Sequence, residues 1–259
     1  MRRALVTGAG QRLGAAMALY LADRGYDVAV HYASSAKAAE AVAGQITAKG
    51  QLGIALQADL LDDAQCQTLF SGAVDALGGP ITCLVNNASI FEYDTVLSAT
   101  RESWDRHMGS NLRAPFVLTQ AMAAQNLPAQ RDEAGEPLAA ALIVNMIDQR
   151  VRKLTPEFMT YTMAKMGLWA MTQTTAQALA PAIRVNAIGP GPTLQGSRQS
   201  DQHFADQRAN TVMKRGANPQ DITAALGYFL DAPAVTGQLL CVDGGQHLGW
   251  QTPDVLGVE

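Results

Sequence analysis

Thr7-Gly8-Ala9-Gly10-Gln11-Arg12-Leu13-Gly14 follows directly on the apolar run Ala4-Leu5-Val6 and opens into an alanine-rich stretch of helical period. A strand that turns through glycines into a helix aims backbone amides at one point, the arrangement that receives a pyrophosphate in open α/β sheets. Such a turn is often structural only, so the order of the surrounding elements decides. Short β-rich runs near residues 3–7, 27–32, 52–57, 81–86, 140–146, 183–188 and 237–242 alternate with helical stretches near 12–24, 36–48, 62–77, 102–126, 157–179 and 219–230. That alternation predicts a doubly wound, seven-stranded parallel sheet flanked by helices, with Gly25, Gly50 and Gly78 closing three of them. Two stretches follow neither period: a charged insert from Pro128 to Pro137, and a polar segment from Pro190 to Asn218, expected to be a mobile lid.

The chain has 259 residues, 48% hydrophobic and 16% charged, enough for one substantial core, and no linker composition divides it. A single domain over 1–259 is expected, with a substrate loop at about 190–218 and a C-terminal tail at 246–259. A net charge of -4 argues against a nucleic-acid or anionic-membrane partner and for a small molecule. Cys66, Cys83 and Cys241 are too scattered for a disulfide framework or a Cys-x-x-Cys site and read as buried thiols of a reducing compartment. The N-terminal apolar run is too short for a signal peptide, and no run reaches membrane-spanning length, so a cytoplasmic protein is expected. His31, His107, His203 and His247 lack ligand spacing, and no metal is assigned.

The chemistry-bearing residues collect at the carboxyl ends of the predicted strands, where such sheets bind ligands: Asp59 and Leu60 after the third, Asn86-Asn87-Ala88 after the fourth. At the end of the second strand, His31-Tyr32-Ala33-Ser34-Ser35 lacks the acid that would hold a free ribose 2′-hydroxyl. Arg12 is placed to lie over the same ribose, and hydroxyls with one guanidinium suit a 2′-phosphate, so NADPH is the expected cofactor; the plain alternative is that Arg12 faces solvent. Tyr161 and Lys165 lie four residues apart on one helix face. Bringing a phenol from pKa ~10 toward ~7 takes about 4 kcal/mol, which one cation about 4 Å away supplies at an effective dielectric of about 20.

With Asn111, Arg184-Val185-Asn186 and Pro190-Gly191, these motifs stand in the order seen in short-chain dehydrogenases/reductases, which the chain resembles over nearly its whole length. The resemblance implies a Rossmann fold binding NADPH/NADP+. Tyr161 would exchange the proton, Lys165 would lower its pKa and hold the nicotinamide ribose, and Asn111 would order a relay water. Gly8, Arg12, Leu13 and Gly14 would face the cofactor from the turn, and His31, Tyr32, Ser34 and Ser35 from the second strand. Asp59, Leu60, Asn87, Ala88 and Ser89 would line the adenosine and nicotinamide sides, with Pro190, Gly191 and Thr193 closing from the far side.

Two departures narrow the reading. Asp148 stands thirteen residues before Tyr161, where the family usually has a serine that donates to a substrate carbonyl. An ionised carboxylate repels a forming alkoxide, whereas a protonated one, or one paired with Tyr161, delivers a proton to nitrogen, which favours reduction of a C=N bond. Arg12-Leu13-Gly14 and Asn87-Ala88-Ser89-Ile90-Phe91 are similar to the pteridine and dihydromonapterin reductase branch. There Ser89 and Arg12 would contact the pterin and Phe91 would stack on it, together with Asp148 and Tyr161. Ser34 replaces an extra arginine of that branch.

The leading expectation is an NADPH-dependent reductase of a dihydropterin-like or dihydrofolate-like C=N bond. The alternatives are a ketone, sugar or 3-oxoacyl reductase with Asp148 in the serine's place, and a non-catalytic NADPH-binding sensor. Structurally, Asp148 has a second reading as a helix cap or as a partner of Arg150 or Arg152, and Phe91 as a core plug. By resemblance the helices near 102–126 and 157–179 pair subunits, and a homotetramer is favoured.

Overall fold

The structure, a computed structural model, describes residues 2–196 and 198–252. Strands β1 (Arg2–Val6), β2 (Tyr26–Tyr32), β3 (Gly53–Gln57), β4 (Cys83–Asn86), β7 (Ala141–Met146), β8 (Ile183–Pro190) and β9 (Leu239–Val242) form one parallel sheet in the order β3-β2-β1-β4-β7-β8-β9. Successive strands step outward from β1 in one direction and from β4 in the other. The crevice between these two is therefore the place where a parallel sheet opens to a ligand. Register is tight there, with Val6 opposite Val30 on one side and Val85 on the other.

Helices cover both faces, so β4 and β7 are buried at every position rather than alternately. Ala4, Val6, Val28 and Val30 pack on one face against Met17 and Leu21 of α1 (Arg12–Asp23), Ile46 of α2 (Ala36–Ala48), and Ile222 and Phe229 of α8 (Pro219–Asp231). Leu5, Ala29, Leu84 and Ile143 pack on the other against Phe70 of α3 (Asp63–Ala76) and Leu118 and Met122 of α5 (Ala114–Ala124). Burying each large aliphatic side chain of this kind contributes about 1.5–3 kcal/mol.

The predicted strands and helices are present with shifts of at most two residues at their ends, apart from three local departures. The helix expected over 102–126 is split into α4 (Arg101–Met108) and α5 by a π-helical turn at Gly109–Arg113 that contains Asn111. Helical periodicity does not register one wide turn, and this one carries the Asn111 side chain to the Ile90 backbone. The charged insert carries a two-stranded hairpin, β5 (Gln130–Arg131) with β6 (Pro137–Leu138). The polar segment expected to be a mobile lid contains α7 (Asp201–Ala209), capped by Ser200. Arg208 pins it by donating to the carbonyls of Pro192 at 2.9 Å and Ala217 at 2.5 Å. α6 (Met159–Leu179) completes the set. The last part of the expected C-terminal tail, residues 253–259, lies outside the described residues.

Candidate functional site

The glycine turn is held from three directions. The Thr7 hydroxyl, buried behind it, accepts from the amides of Asn87 and Ala88, both at 2.9 Å. The Asn87 amide donates to the carbonyls of Thr7 and Gly8 at 2.8 and 3.1 Å. The His31 Nδ1 accepts from the Gly8 amide at 3.0 Å while Nε2 faces the Ala58 carbonyl at 3.1 Å. His31 is thus a neutral brace with both nitrogens engaged; at 1% exposure, its pKa lowered by burial, it does not reach a cofactor ribose. This corrects its place among the cofactor contacts: the ring turns inward because the glycine turn offers it an N–H. Asn87 likewise spends its amide on the turn. The first turn of α1 carries neither a side-chain cap nor an acidic residue. Its amides therefore stay free for an anion, and the residues present fit a dinucleotide pyrophosphate.

The exposed Ser34 and the half-buried Tyr32 and Ser35 stand at the carboxyl end of β2, and Ser35 opens α2 without using its side chain as a cap. Asp59 is exposed at the end of β3, accepting from the Leu61 amide, and Leu60 beside it is buried. On the far side the Gly191 amide donates to Val242, and Thr193 is buried with its hydroxyl on the Gly191 carbonyl.

Arg12 differs from its expected placement. Its backbone is left-handed, φ 56, a conformation costing a non-glycine residue about 1–2 kcal/mol. Its guanidinium donates to the carbonyls of Leu194 and Gln195 at 3.0 and 2.8 Å. The side chain ties the segment after β8 to the nucleotide turn rather than lying over the ribose. Arg12→Gly is expected to relieve the backbone and release the segment: thermal stability changes little, while proteolysis near Leu194 becomes faster. Unchanged cleavage would show that the tie carries no weight.

At the chemical end, Tyr161 Oη donates to Asp148 Oδ2 at 2.9 Å, and Asp148 Oδ1 accepts from the Arg150 amide at 2.8 Å. Asp148 is thus both the cap of the 3₁₀ turn Gln149–Arg152 and the partner of the phenol, so the capping and catalytic readings are compatible. Burial raises its pKa against the opposing pull of the Arg150 amide and nearby cations. Lys165, 2% exposed, donates from Nζ to the Met146 carbonyl at 2.8 Å; burial brings its pKa down to about 8.

The expectation that Lys165 brings the phenol toward neutrality is overturned for the protein alone. Burial, then the Asp148 charge and hydrogen bond, push Tyr161 well above 10. The nearest charge to its oxygen is negative, and the lysine is tied to a main-chain carbonyl. Tyr161 is therefore a firmly protonated donor. Asn111, fully buried, accepts from the Ile90 amide at 2.9 Å and donates to the Ile90 carbonyl at 2.8 Å, so its side chain anchors the loop bearing Ser89 and Phe91.

A second anchor was not anticipated. His107 Nε2 accepts from the Glu92 amide at 3.1 Å, so its proton is on Nδ1, 2.6 Å from the Thr160 hydroxyl, which donates to the buried carboxylate of Asp94. This chain joins the loop after β4 to the start of α6, one residue before Tyr161. Burial lowers the His107 pKa and keeps the ring neutral.

Residues 8–247 match the family described as enoyl-(acyl carrier protein) reductase. The chain belongs to the short-chain dehydrogenase/reductase family. It is 31% identical to the 3-oxoacyl-[acyl-carrier-protein] reductase FabG of Staphylococcus epidermidis over 252 residues, covering 95% of this chain and 99% of that protein. Among solved structures, FolM alternative dihydrofolate reductase 1 from Brucella suis, in complex with NADP, is 41% identical with a TM-score of 0.90, covering 98% of both chains. The Brucella canis protein of the same description, also with NADP, is 41% identical with a TM-score of 0.88, covering 99% of this chain and 98% of that one.

Within this short-chain dehydrogenase/reductase, the structure also brings to the site residues that sequence reading did not select for it. Phe158 opens α6 at φ 53 and stacks on Phe91 with ring centroids 4.3 Å apart and an 11° interplanar angle. Phe91 in turn meets Tyr161 edge-on at 4.7 Å. Arg150 and Arg198 each lie over one of the two phenylalanines. Neither Phe158 nor Arg198 belongs to a motif; only the fold of two distant segments brings them to Phe91.

Proposed function

We propose that this NADP-dependent oxidoreductase reduces the C=N bond of a dihydropterin-like or dihydrofolate-like heterocycle. The observation that carries the reading is the 2.9 Å hydrogen bond from Tyr161 to Asp148, a carboxyl group where carbonyl reductases need a neutral donor. NADPH supplies the hydride. The chain supplies the proton: Asp148, its pKa raised by burial, carries it to the ring nitrogen, and Tyr161, held protonated, donates to the carboxylate left behind. Lys165 holds the nicotinamide ribose, and Phe91 stacks on the heterocycle after parting from Phe158. Ser89, which acts on the Tyr161 phenol, orients the ring, and Arg12 joins it on leaving the carbonyls of Leu194 and Gln195.

The remaining cofactor contacts come from the α1 N-terminus with Gly8, Leu13 and Gly14, from Tyr32, Ser34 and Ser35 at the 2′-phosphate, and from Asp59, Leu60, Ala88, Pro190, Gly191 and Thr193. NADPH oxidation is expected with at least one of dihydrobiopterin, dihydromonapterin and dihydrofolate. No turnover with any of them sinks the reading.

The second reading, a carbonyl or 3-oxoacyl reductase, draws on the FabG relatives and on the same raised pKa, since a protonated Asp148 donates as a serine would. We further propose a cytoplasmic homotetramer. Exposed Phe116 on α5 and Met163 and Met166 on α6 supply apolar area on the helices concerned. A monomer mass by light scattering at micromolar concentration refutes the assembly.

A further inference from the structure

We propose that Asp94 is a positioning residue for proton transfer at Tyr161: through Thr160 and His107 its carboxylate sets where the phenol sits against Asp148. The role rests on the reductase reading above, in which Tyr161 donates to Asp148, and holds whichever bond receives the hydride.

α6 begins without a cap of its own. Its N-cap residue, Phe158, is left-handed and makes no side-chain hydrogen bond to the helix. The cap comes from the loop after β4 instead. Asp94 Oδ1 accepts from the Thr160 amide at 3.1 Å, and the Asp94 carbonyl accepts from the Met159 amide at 3.3 Å. Two of the first amides of α6 are thus satisfied by a distant residue, and the next residue along the helix is Tyr161.

The second carboxylate oxygen holds side chains. Asp94 Oδ2 accepts from the Thr160 hydroxyl, and from the Ser103 hydroxyl at 3.1 Å. With its own proton directed to Asp94, the Thr160 hydroxyl accepts from His107 Nδ1 at 2.6 Å. The His107 ring, which takes the Glu92 amide on its other nitrogen, meets the Tyr161 ring edge-on with centroids 6.0 Å apart. Asp94 therefore reaches Tyr161 by two routes, through the first turn of α6 and through the imidazole against the phenol ring.

Every donor in this chain points one way, from the Glu92 amide through His107 and Thr160 to Asp94. Only an acceptor that carries no proton ends it. Asp94 meets that condition: burial draws its pKa up, but the hydrogen bonds from Thr160 and Ser103 outweigh burial and hold the carboxyl below its ordinary value. His107, faced by Asp94, Glu92 and Arg106, stays neutral because burial lowers its pKa. Asp94 and Thr160 are 2% exposed and His107 not at all, so water does not stand in for a lost partner. Asp94→Asn keeps the shape of the side chain but turns an acceptor oxygen into a donor, which forces Thr160 and His107 to reorient. Thr160→Val cuts the side-chain link and leaves the main-chain cap. A displacement of about 1 Å at reacting groups is worth up to about 10²-fold in rate.

The test is steady-state kinetics across pH with NADPH and the fastest of dihydrobiopterin, dihydromonapterin and dihydrofolate. If none of these is turned over, the C=N reading is overturned, and the same comparison runs on the fastest of a panel of simple ketones. Asp94→Asn and Thr160→Val are expected to lower kcat about tenfold or more with KM nearly unchanged. The pH at which activity falls is expected to move upward, because a displaced phenol no longer stabilises the Asp148 carboxylate. Arg150, Lys165 and Cys241, the other titratable groups facing Asp148, are untouched by these changes. Thr160→Ser keeps the hydroxyl and is expected to recover most of the rate. Ser103→Ala removes a hydrogen bond to Asp94 without touching α6 and is expected to keep both rate and pH profile. If Asp94→Asn and Thr160→Val lower Tm but leave kcat and the pH profile in place, or lose activity through KM alone, the network is structural and the proposal is overturned. Should Asp94→Asn fail to fold, Thr160→Val against Thr160→Ser decides by the same criteria.

Discussion

Asp148→Ser is expected to lower kcat/KM for the dihydropterin or dihydrofolate substrate by about 10²-fold or more, the usual worth of a positioned acid, and to preserve or raise reduction of a simple ketone. Serine keeps the cap on the Arg150 amide, because its hydroxyl accepts there as the carboxylate does, so the loss reads chemistry rather than folding. What disappears is the proton carrier beside Tyr161.

The pH dependence has a fixed sign. Burial raises the Asp148 pKa, so the protonated form is present at low pH and lost as pH rises through that raised value. Wild-type kcat/KM for C=N reduction therefore falls with rising pH, and the variant loses that limb. Loss of the Lys165 charge at about 8 gives a separate fall that the variant keeps. If Asp148→Ser abolishes ketone and C=N reduction alike, Asp148 serves the fold rather than the choice of substrate.

Gly14→Ala produces the largest expected effect on the folded state. A methyl group at this position falls 2.2 Å from the Gly8 carbonyl oxygen, 2.6 Å from Asn87 Nδ2 and 2.8 Å from the Ala9 Cα. Two of these are backbone atoms of the nucleotide turn, so α1 has to move outward from β1. The expected cost is roughly 3 kcal/mol, or a fall in Tm of roughly 10 °C in a chain of this length. Wild type is expected to gain thermal stability on adding NADPH, because a ligand of the folded state shifts the unfolding equilibrium, and the variant to gain almost none. Gly44→Ala is the control: the glycine is exposed in α2, nothing lies within 4 Å of the added atom, and stability should rise by roughly 0.5–1 kcal/mol. Equal behaviour of the two variants would show that the close approach at Gly14 is not what holds the turn.

Much of the site was legible in order along the chain. Tyr161 and Lys165 were found from spacing on one helix and Asp148 from the position where the resembled family has a serine, and the structure brings all three together. Their electrostatics were not legible. The sequence argument set one cation against one phenol, but in the fold Lys165 bonds a main-chain carbonyl and the carboxylate is the phenol's nearest charge, which reverses the direction of the shift. His31 and Asn87 were read as cofactor contacts because they sit at strand ends, and Asn111 as the holder of a relay water because it stands in a family motif. In the fold the side chain of each satisfies backbone groups of another segment, a demand visible only once those segments are adjacent.

By itself the sequence determined the alternation of strands and helices, the turn through Gly8 and Gly14, and the absence of an acid after β2. These are local properties: a period of two or of 3.6, a backbone angle open to glycine, a charge present or missing at one position. Only the tertiary structure decided where the long side chains point. Arg12 reaches the carbonyls of Leu194 and Gln195, and Arg150 and Arg198 come over Phe158 and Phe91. A guanidinium on a flexible stem has no preferred direction in the sequence. It acquires one when the fold sets a carbonyl or a ring from a distant part of the chain within its reach.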